Sequence, residues 1–423
     1  MSAQIKRIGV ITSGGDCQAM NAAVRAVVLS ARKYKIEVVG ISDAYYGMTH
    51  NRPGDFRVLH AADVENIISL GGTVLNSARF AEFGDDPEYY AKLMGKNLEA
   101  HGIGALVAIG GDGSFRGSLD IHKYTGIPCI GIPATIDNDI VSTEYTLGFD
   151  TALRNTIEMC DALRDTCNSH KRCDVVEVMG RKAGQIALHT AIAVGASAVA
   201  IPEAPALFDE EKVIDAMIRA RHDGKRSFLV IFAEGAVNTE LTDAARKASL
   251  DAAIADYTAG KIDGKSLTKV AFNGYKAEYS EQFVATLESR SRKAFEKYYA
   301  EEGNIDFKGE FIETKFARFA HVARGGRPTC FDRVVAGYMG ENAVRLIAEG
   351  KLNRVVCVHN GRIADMDMTE AISVDSFYRK FRTSGVLDTA ALKAMTPEQK
   401  KMFDFRLKVS DSLLATAQSL SEV

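Results

Sequence analysis

The chain has 423 residues, 46% of them hydrophobic and 25% charged, with a formal net charge of -3. These proportions exclude disordered and fibrous classes, the length allows about two or three domains, and the slightly acidic balance excludes general nucleic-acid binding through a basic surface. The longest apolar region, Ile186 to Ile201, contains His189 and falls short of the roughly 18 to 20 residues needed to cross a bilayer. With no apolar signal segment ahead of the first strand, the expectation is a cytoplasmic protein with neither a membrane nor a nucleic-acid partner. Cysteines at 17, 129, 160, 167, 173, 330 and 357 include no Cys-x-x-Cys pair, which disfavours a zinc site and a disulfide framework. Cys17 stands near a helix start, where a thiol pKa can fall.

In chain order, residues 5 to 12 read as an apolar strand that breaks at Ser13-Gly14-Gly15-Asp16 and runs into a helical pattern from Met20. Backbone amides at such a turn can hold phosphate, although neither the Lys-Ser/Thr of a Walker loop nor the third glycine of a dinucleotide fingerprint is present. Glu37 to Ile41 is the next strand. It leads to a glycine turn, Asp43-Ala44-Tyr45-Tyr46-Gly47, where Tyr45 either stacks on a base or covers the edge of the core. Arg79, in Ser77-Ala78-Arg79-Phe80, is a candidate phosphate clamp. Pro87 opens a helix to Ala100, proline being tolerated in a first turn.

Two apolar runs follow, Leu106 to Ile109 and Ile127 to Ile132. The first breaks into Gly110-Gly111-Asp112-Gly113-Ser114-Phe115-Arg116-Gly117 and the second ends in Pro133-Ala134-Thr135-Ile136-Asp137-Asn138-Asp139. Buried-type strands ending in glycine- or acid-bearing loops suggest a parallel sheet with its chemistry at the strands' carboxyl ends. Glycines admit an anion to the backbone and a following helix adds its positive end. An acid in that loop would repel bare phosphate, so Asp112 reads as a ligand for a magnesium ion carried by phosphate. In an extended segment Asp137 and Asp139 would project together, and two close carboxylates share a proton or hold a metal.

Beyond residue 140, the spacing predicts a helix over Thr143 to Ser169, then a strand Asp174 to Met179 ending in Met179-Gly180-Arg181. A helix from Ala183, a strand Ala198 to Ile201, a helix Asp209 to Asp223 and a strand Ser227 to Ala233 ending in Glu234-Gly235 come next. Strands alternating with helices give two doubly wound α/β units. Helical spacing in Leu241 to Tyr257 and Tyr279 to Tyr299 marks residues 236–312 as a helical insert. His321-Val322-Ala323-Arg324-Gly325-Gly326, a helix from Asp332, a strand Arg354 to His359, an Asn360-Gly361 hairpin and a polar helical tail complete the chain.

Gly-Gly-Asp-Gly-Ser, Pro-Ala-Thr-Ile-Asp-Asn-Asp, Met-Gly-Arg and His-Val-Ala-Arg-Gly-Gly, in that order, resemble the 6-phosphofructokinase family, ATP-dependent branch, long-chain bacterial type. The resemblance implies two Rossmann-like domains with an active site in the cleft between them: 1–148 with 323–375 for nucleotide, and 149–322 with 376–423 for sugar phosphate. It implies transfer of the γ-phosphoryl of Mg-ATP to the 1-hydroxyl of fructose 6-phosphate. The nucleotide would meet Gly15, Tyr45, Arg79, Phe80, Gly111, Asp112, Gly113, Ser114 and Gly117, with Asp112 and Asp139 near the metal. Asp137 would act as base beside Thr135, and Arg181 would neutralise the transferring group. Met179, Gly180 and Glu234 would meet the sugar, and His321 and Arg324 its 6-phosphate. Arg172 and Lys315 would reach in from a neighbouring subunit, implying a homodimer or homotetramer with a shared site.

Gly after the loop acid marks ATP users in that family, where pyrophosphate users carry Asp, so Gly113 favours ATP, as does Ala134 where pyrophosphate users commonly carry Lys. The alternatives are a pyrophosphate-dependent relative and a non-catalytic subunit binding nucleotide and sugar phosphate. The NAD and diacylglycerol kinases share the Gly-Gly-Asp-Gly loop but leave Met179 to Arg181 and His321 to Arg324 without a role.

Overall fold

The structure, a computed structural model, describes residues 5–205, 208–236, 239–264, 266–267, 279–301 and 310–420. It divides into two compact units: Met1–Asn155 with His321–Ser412, and Thr156–Ala320 with Leu413–Val423.

The first unit is built on seven strands: β1 (Arg7–Ser13), β2 (Glu37–Ile41), β3 (Phe56–Val58), β4 (Ala105–Gly110), β5 (Cys129–Pro133) and, after the second unit's β6 (Cys173–Val178), β7 (Ala198–Ala200), β8 (Phe228–Ala233) and β9 (Thr314–Arg318), the pair β10 (Arg354–His359) and β11 (Arg362–Asp367). Their order is β11-β10-β5-β4-β1-β2-β3. All pairings are parallel except β2–β3 and the β10–β11 hairpin that Asn360-Gly361 closes. Every residue of β4 and β5 is buried, which is why both read as unbroken apolar runs: helices cover both faces, so no position alternates with water. Because β1 pairs in parallel with β2 on one side and β4 on the other, the order in which strands are added across the sheet reverses at β1 and β4. Ligands of open parallel sheets enter at such a switch point, at the strands' carboxyl ends.

The second unit repeats the plan on a smaller scale, an all-parallel sheet of order β7-β8-β6-β9. Phe208, Phe232, Tyr279 and Phe283 meet in its core, edge to face or tilted. The insert is helical over Thr239–Thr258 and Tyr279–Glu301; its residues 268–278 and 302–309 lie outside the described residues.

Three differences from the sequence reading have local causes. The helix expected over Thr143 to Ser169 starts at Phe149, because 143–148 form a turn tied down by side chains, with Gly148 at φ +95° and the Thr146 hydroxyl donating to the Thr135 carbonyl at 2.6 Å. The turn expected after Asp43 is a short helix, Ala44–His50. Residues 376–412 group with the first unit rather than the second, because Phe377, Tyr378 and Phe381 pack around Phe403 beside Val141.

Asp332 is a fully buried carboxylate that anchors the 143–151 turn. One of its oxygens accepts from the Tyr145 hydroxyl and the Gly148 N–H, both at 2.7 Å. The other accepts from the Thr151 N–H at 3.0 Å and from the Thr151 hydroxyl. Each donor left without an acceptor in the core costs about 1–3 kcal/mol. Asp332→Ala should therefore lower unfolding stability by at least about 3 kcal/mol in a urea titration followed by circular dichroism, with Asp332→Asn intermediate.

Candidate active site

Register brings the candidate loops of the first unit together. Ser13 pairs opposite Gly110, and Gly110 opposite Pro133, so the segments after β1, β4 and β5 leave adjacent strand ends on one edge of the sheet. Asp112 and the Thr135–Asp139 segment thus sit at neighbouring tips.

Gly111 caps the helix Asp112–Thr125 in extended conformation and brings no side chain to bond its first amides. The first N–H groups of a helix have no partner within it, so this end is disposed to bind an anion. A Cβ on Gly111 or Gly113 would meet nothing within 4 Å, leaving the approach open. Beside it, the Ser114 hydroxyl and one Asp112 oxygen, Oδ1, are buried without a hydrogen-bond partner. The other Asp112 oxygen, Oδ2, is held by Arg116 Nε at 3.0 Å and faces Arg379 Nη2 at 2.9 Å.

A magnesium ion fits this arrangement. Asp112 Oδ1 is an unpaired hard donor, and Asp139 stands close enough for the two carboxylates to repel. Among the described residues no group of three or more His, Cys, Asp or Glu is placed to hold a metal ion by itself; magnesium usually takes one or two carboxylates and completes its shell with phosphate and water. Burial raises the Asp139 pKa, and Asp112 adds to the effect, against the pull of Arg379 and Arg406. The strand alternation expected to project Asp137 and Asp139 together is interrupted: Asn138 sits at φ +46°, and its side chain accepts from the Thr146 N–H at 3.1 Å. The Asp137 N–H donates to the Thr135 hydroxyl at 3.2 Å.

The loop after β1 is braced from the 320s. Gln18 Nε2 donates to the carbonyls of Ala323 and Gly325, and Arg324 Nη1 donates to the Asp16 carbonyl at 3.0 Å. A Cβ on Gly15 would stand 3.0 Å from that Arg324 nitrogen. Arg79 and His321 are exposed and Phe80 half-buried. Tyr45 belongs to the core: it is 7% exposed, 5.2 Å from Phe83, and its hydroxyl bonds the Ser114 carbonyl and Ser118. The space over Gly117 is filled by the Tyr45 and Phe83 rings, each 2.9 Å from where a Cβ would be. Of the two readings of Tyr45, the structure places it at the core edge. Cys17 is buried, and burial raises its pKa, with Asp332 adding to the rise, the opposite of the lowering a helix start can cause.

In the second unit, Val178 pairs with Ala233, so Met179-Gly180-Arg181 and Glu234 leave neighbouring strands. Gly180, at φ +137°, accepts from the Gly235 N–H at 3.1 Å. Met179 is buried, Glu234 half-buried and Arg181 exposed. Arg172 lies 3.5 Å from Asp174, and the exposed Lys315 pairs with Glu313 at 2.8 Å. His189 is satisfied by the Gln185 carbonyl at 2.8 Å.

The expected helical tail includes the helix Met368–Ser384, to which sequence reasoning gave no place at the site. Its Asp375 is buried, accepts from the N–H groups of Val141 and Ser142, and has its pKa pushed up to about 7, chiefly by burial and then by Asp112. Ser376 accepts from Arg116 at 2.7 Å. Arg116, four residues after Asp112, was legible as a helical pair. Nothing in the sequence links residue 112 to 379.

Glycine-opened phosphate loops and paired acids at the carboxyl edge of a doubly wound parallel sheet define a phosphate-handling α/β protein. The family model described as phosphofructokinase matches residues 7–347. An ATP-dependent 6-phosphofructokinase of Lysinibacillus sphaericus is 38% identical over 367 residues, covering 87% of this chain and 94% of that protein. Among solved structures, phosphofructokinase from Saccharomyces cerevisiae matches with TM-score 0.68 and 26% identity over 94% of this chain and 49% of its own. That of Pichia pastoris matches with TM-score 0.70 and 28% identity over 97% and 40%. The chain thus spans about half the length of the Saccharomyces protein and less of the Pichia one. The chain belongs to the phosphofructokinase family.

An acid whose folded pKa is raised keeps its proton where the unfolded chain has lost it. The stability that Asp375 contributes is therefore full at low pH and falls as pH climbs from about 4 to about 7. Thermal unfolding of Asp375→Asn at pH 4.5, 6 and 8 should show a shallower loss across that window than the unchanged protein.

Proposed function

We propose that the chain transfers the γ-phosphoryl group of Mg-ATP to the 1-hydroxyl of fructose 6-phosphate, giving fructose 1,6-bisphosphate. What carries this reading is the uncapped helix end at Asp112, where a carboxylate oxygen and the Ser114 hydroxyl are buried without partners beside the open face of Gly113. Asp112, with Asp139 nearby, would hold the magnesium ion, which would supply charge neutralisation for the phosphate oxygens. The amides at 111–113 and the Ser114 hydroxyl cradle those oxygens, and Gly15 and Arg79 line their path. Asp137 accepts the proton of the attacking hydroxyl. A carboxylate is too weak a base to strip a sugar alcohol in advance, so the proton moves late, as the new bond forms. Thr135 bonds the Asp137 backbone and keeps that loop in place.

Alignment and charge then supply most of the rate. Arg181 neutralises the group in flight, Glu234 accepts from sugar hydroxyls, Met179 and Gly180 shape the floor beneath the ring, and His321 with Arg324 holds the 6-phosphate. Arg172 and Lys315 complete that phosphate site from a neighbouring subunit, so the working form is a homo-oligomer. Its proposed setting is the cytoplasm, a reducing compartment suited to seven free cysteines.

The donor follows from Gly113. A carboxylate there would fill the open face and repel the α-phosphate of a nucleotide. A coupled assay offering fructose 6-phosphate with ATP or pyrophosphate in parallel should show turnover with ATP, and Gly113→Asp should abolish it; turnover with pyrophosphate alone would reverse the donor assignment. Asp137→Asn should lower kcat by about a hundredfold or more while fructose 6-phosphate still binds. Collapse of sugar affinity instead would make Asp137 structural.

A further inference from the structure

The guanidinium of Arg379 faces the same Asp112 oxygen as that of Arg116, but the two differ in what else they bond. Arg116 is committed at both ends: Nε donates to Asp112 at 3.0 Å and Nη2 to the Ser376 hydroxyl at 2.7 Å. Arg379 lies with Nη2 2.9 Å from Asp112 Oδ2, yet that nitrogen lacks the alignment of a hydrogen bond, and its buried Nε has no acceptor. Buried donors of a charged group are costly to leave unmatched. Here they stand beside a carboxylate oxygen, Asp112 Oδ1, that is itself unmatched. An orphaned anion-binding fork next to an orphaned cation-binding oxygen is the complement of a phosphate carrying a metal.

Distance supports the pairing. Around an octahedral magnesium with bonds of about 2.1 Å, neighbouring ligand oxygens lie about 3 Å apart. Phosphate oxygens sharing a cation with Asp112 would therefore fall within a small side-chain rotation of the Arg379 donors. Charge supports it too. Asp112, Asp139 and Asp375 crowd this corner, and a metal-bound triphosphate is itself anionic, so Arg116, Arg379 and Arg406 are needed to offset them. Arg379 can do so while bonding phosphate with two parallel N–H groups.

Resting on the assignment of ATP as donor, we propose that Arg379 directly binds the terminal phosphates of the nucleotide, making the helix Met368–Ser384 part of the donor site. The motif-bearing loops then recognise the donor together with a residue more than two hundred positions away.

The test is equilibrium binding of β,γ-imido-ATP and of AMP to Arg379→Met, Arg379→Lys and the unchanged protein, each in EDTA and again with Mn2+. Arg379→Met should weaken the triphosphate analogue about tenfold or more even without metal. AMP and fructose 6-phosphate should stay within about twofold, and Arg379→Lys should recover part of the loss because it keeps the charge. A loss seen only with Mn2+ would overturn the proposal, leaving Arg379 as a brace for Asp112. Equal losses for AMP and the analogue, or no loss, would overturn it as well. Circular dichroism checks folding; should Arg379→Met unfold, Arg379→Gln is read by the same criteria. Failure of the unchanged protein to bind the analogue at all would sink the donor assignment itself, a result distinct from a loss confined to the variants.

Discussion

Parallel pairing of β1, β4 and β5 is the constraint on which the rest of the first unit depends. With Ser13, Gly110 and Pro133 side by side, the three loops that follow them must leave the sheet at one edge. The cost of assembling that edge is borne by strands buried on both faces, where apolar burial contributes about 25 cal/mol per Å². The loops themselves then need contribute little to stability. That freedom lets Gly111 and Gly113 stay open and lets Asp112 and Ser114 keep buried polar atoms unmatched, a local loss that only a ligand would recover.

Surrounding this edge is a shell of polar ties that holds loops rather than substrates. Asp332 gathers the turn after β5, Gln18 and Asn155 tether the glycine-rich 320s, and Asn21 bonds the Leu70–Gly71 carbonyls and the Val74 N–H. Each is a side chain standing in for backbone pairing that an irregular segment cannot make for itself. A site of loops can be as well defined as one on strands when its amides are accounted for in this way.

In the second unit the same logic sets two strand tips, Met179–Arg181 and Glu234, next to each other through the β6–β8 register. Glu177 there bonds Arg318 and Ser280, linking β6, β9 and the insert's second helix. The insert therefore shares in this unit's structure, and its Tyr279, Phe283 and Leu287 are core residues.

Much of this is legible in the sequence alone. Apolar runs ending in glycine or acid located β1, β4, β5, β6 and β8, and the order of motifs identified the family, because strand periodicity and loop chemistry are local properties written into consecutive residues. Tertiary structure alone decided the rest. Burial made Tyr45 a wall of the core and raised the Cys17 pKa, and neither environment can be read from neighbours in sequence. A left-handed Asn138 broke the alternation between Asp137 and Asp139, and a helix near the C-terminus set Asp375 and Arg379 against Asp112. Contacts between distant segments depend on how whole elements pack, and a chain of residues states only which surfaces seek burial, not which of them will meet.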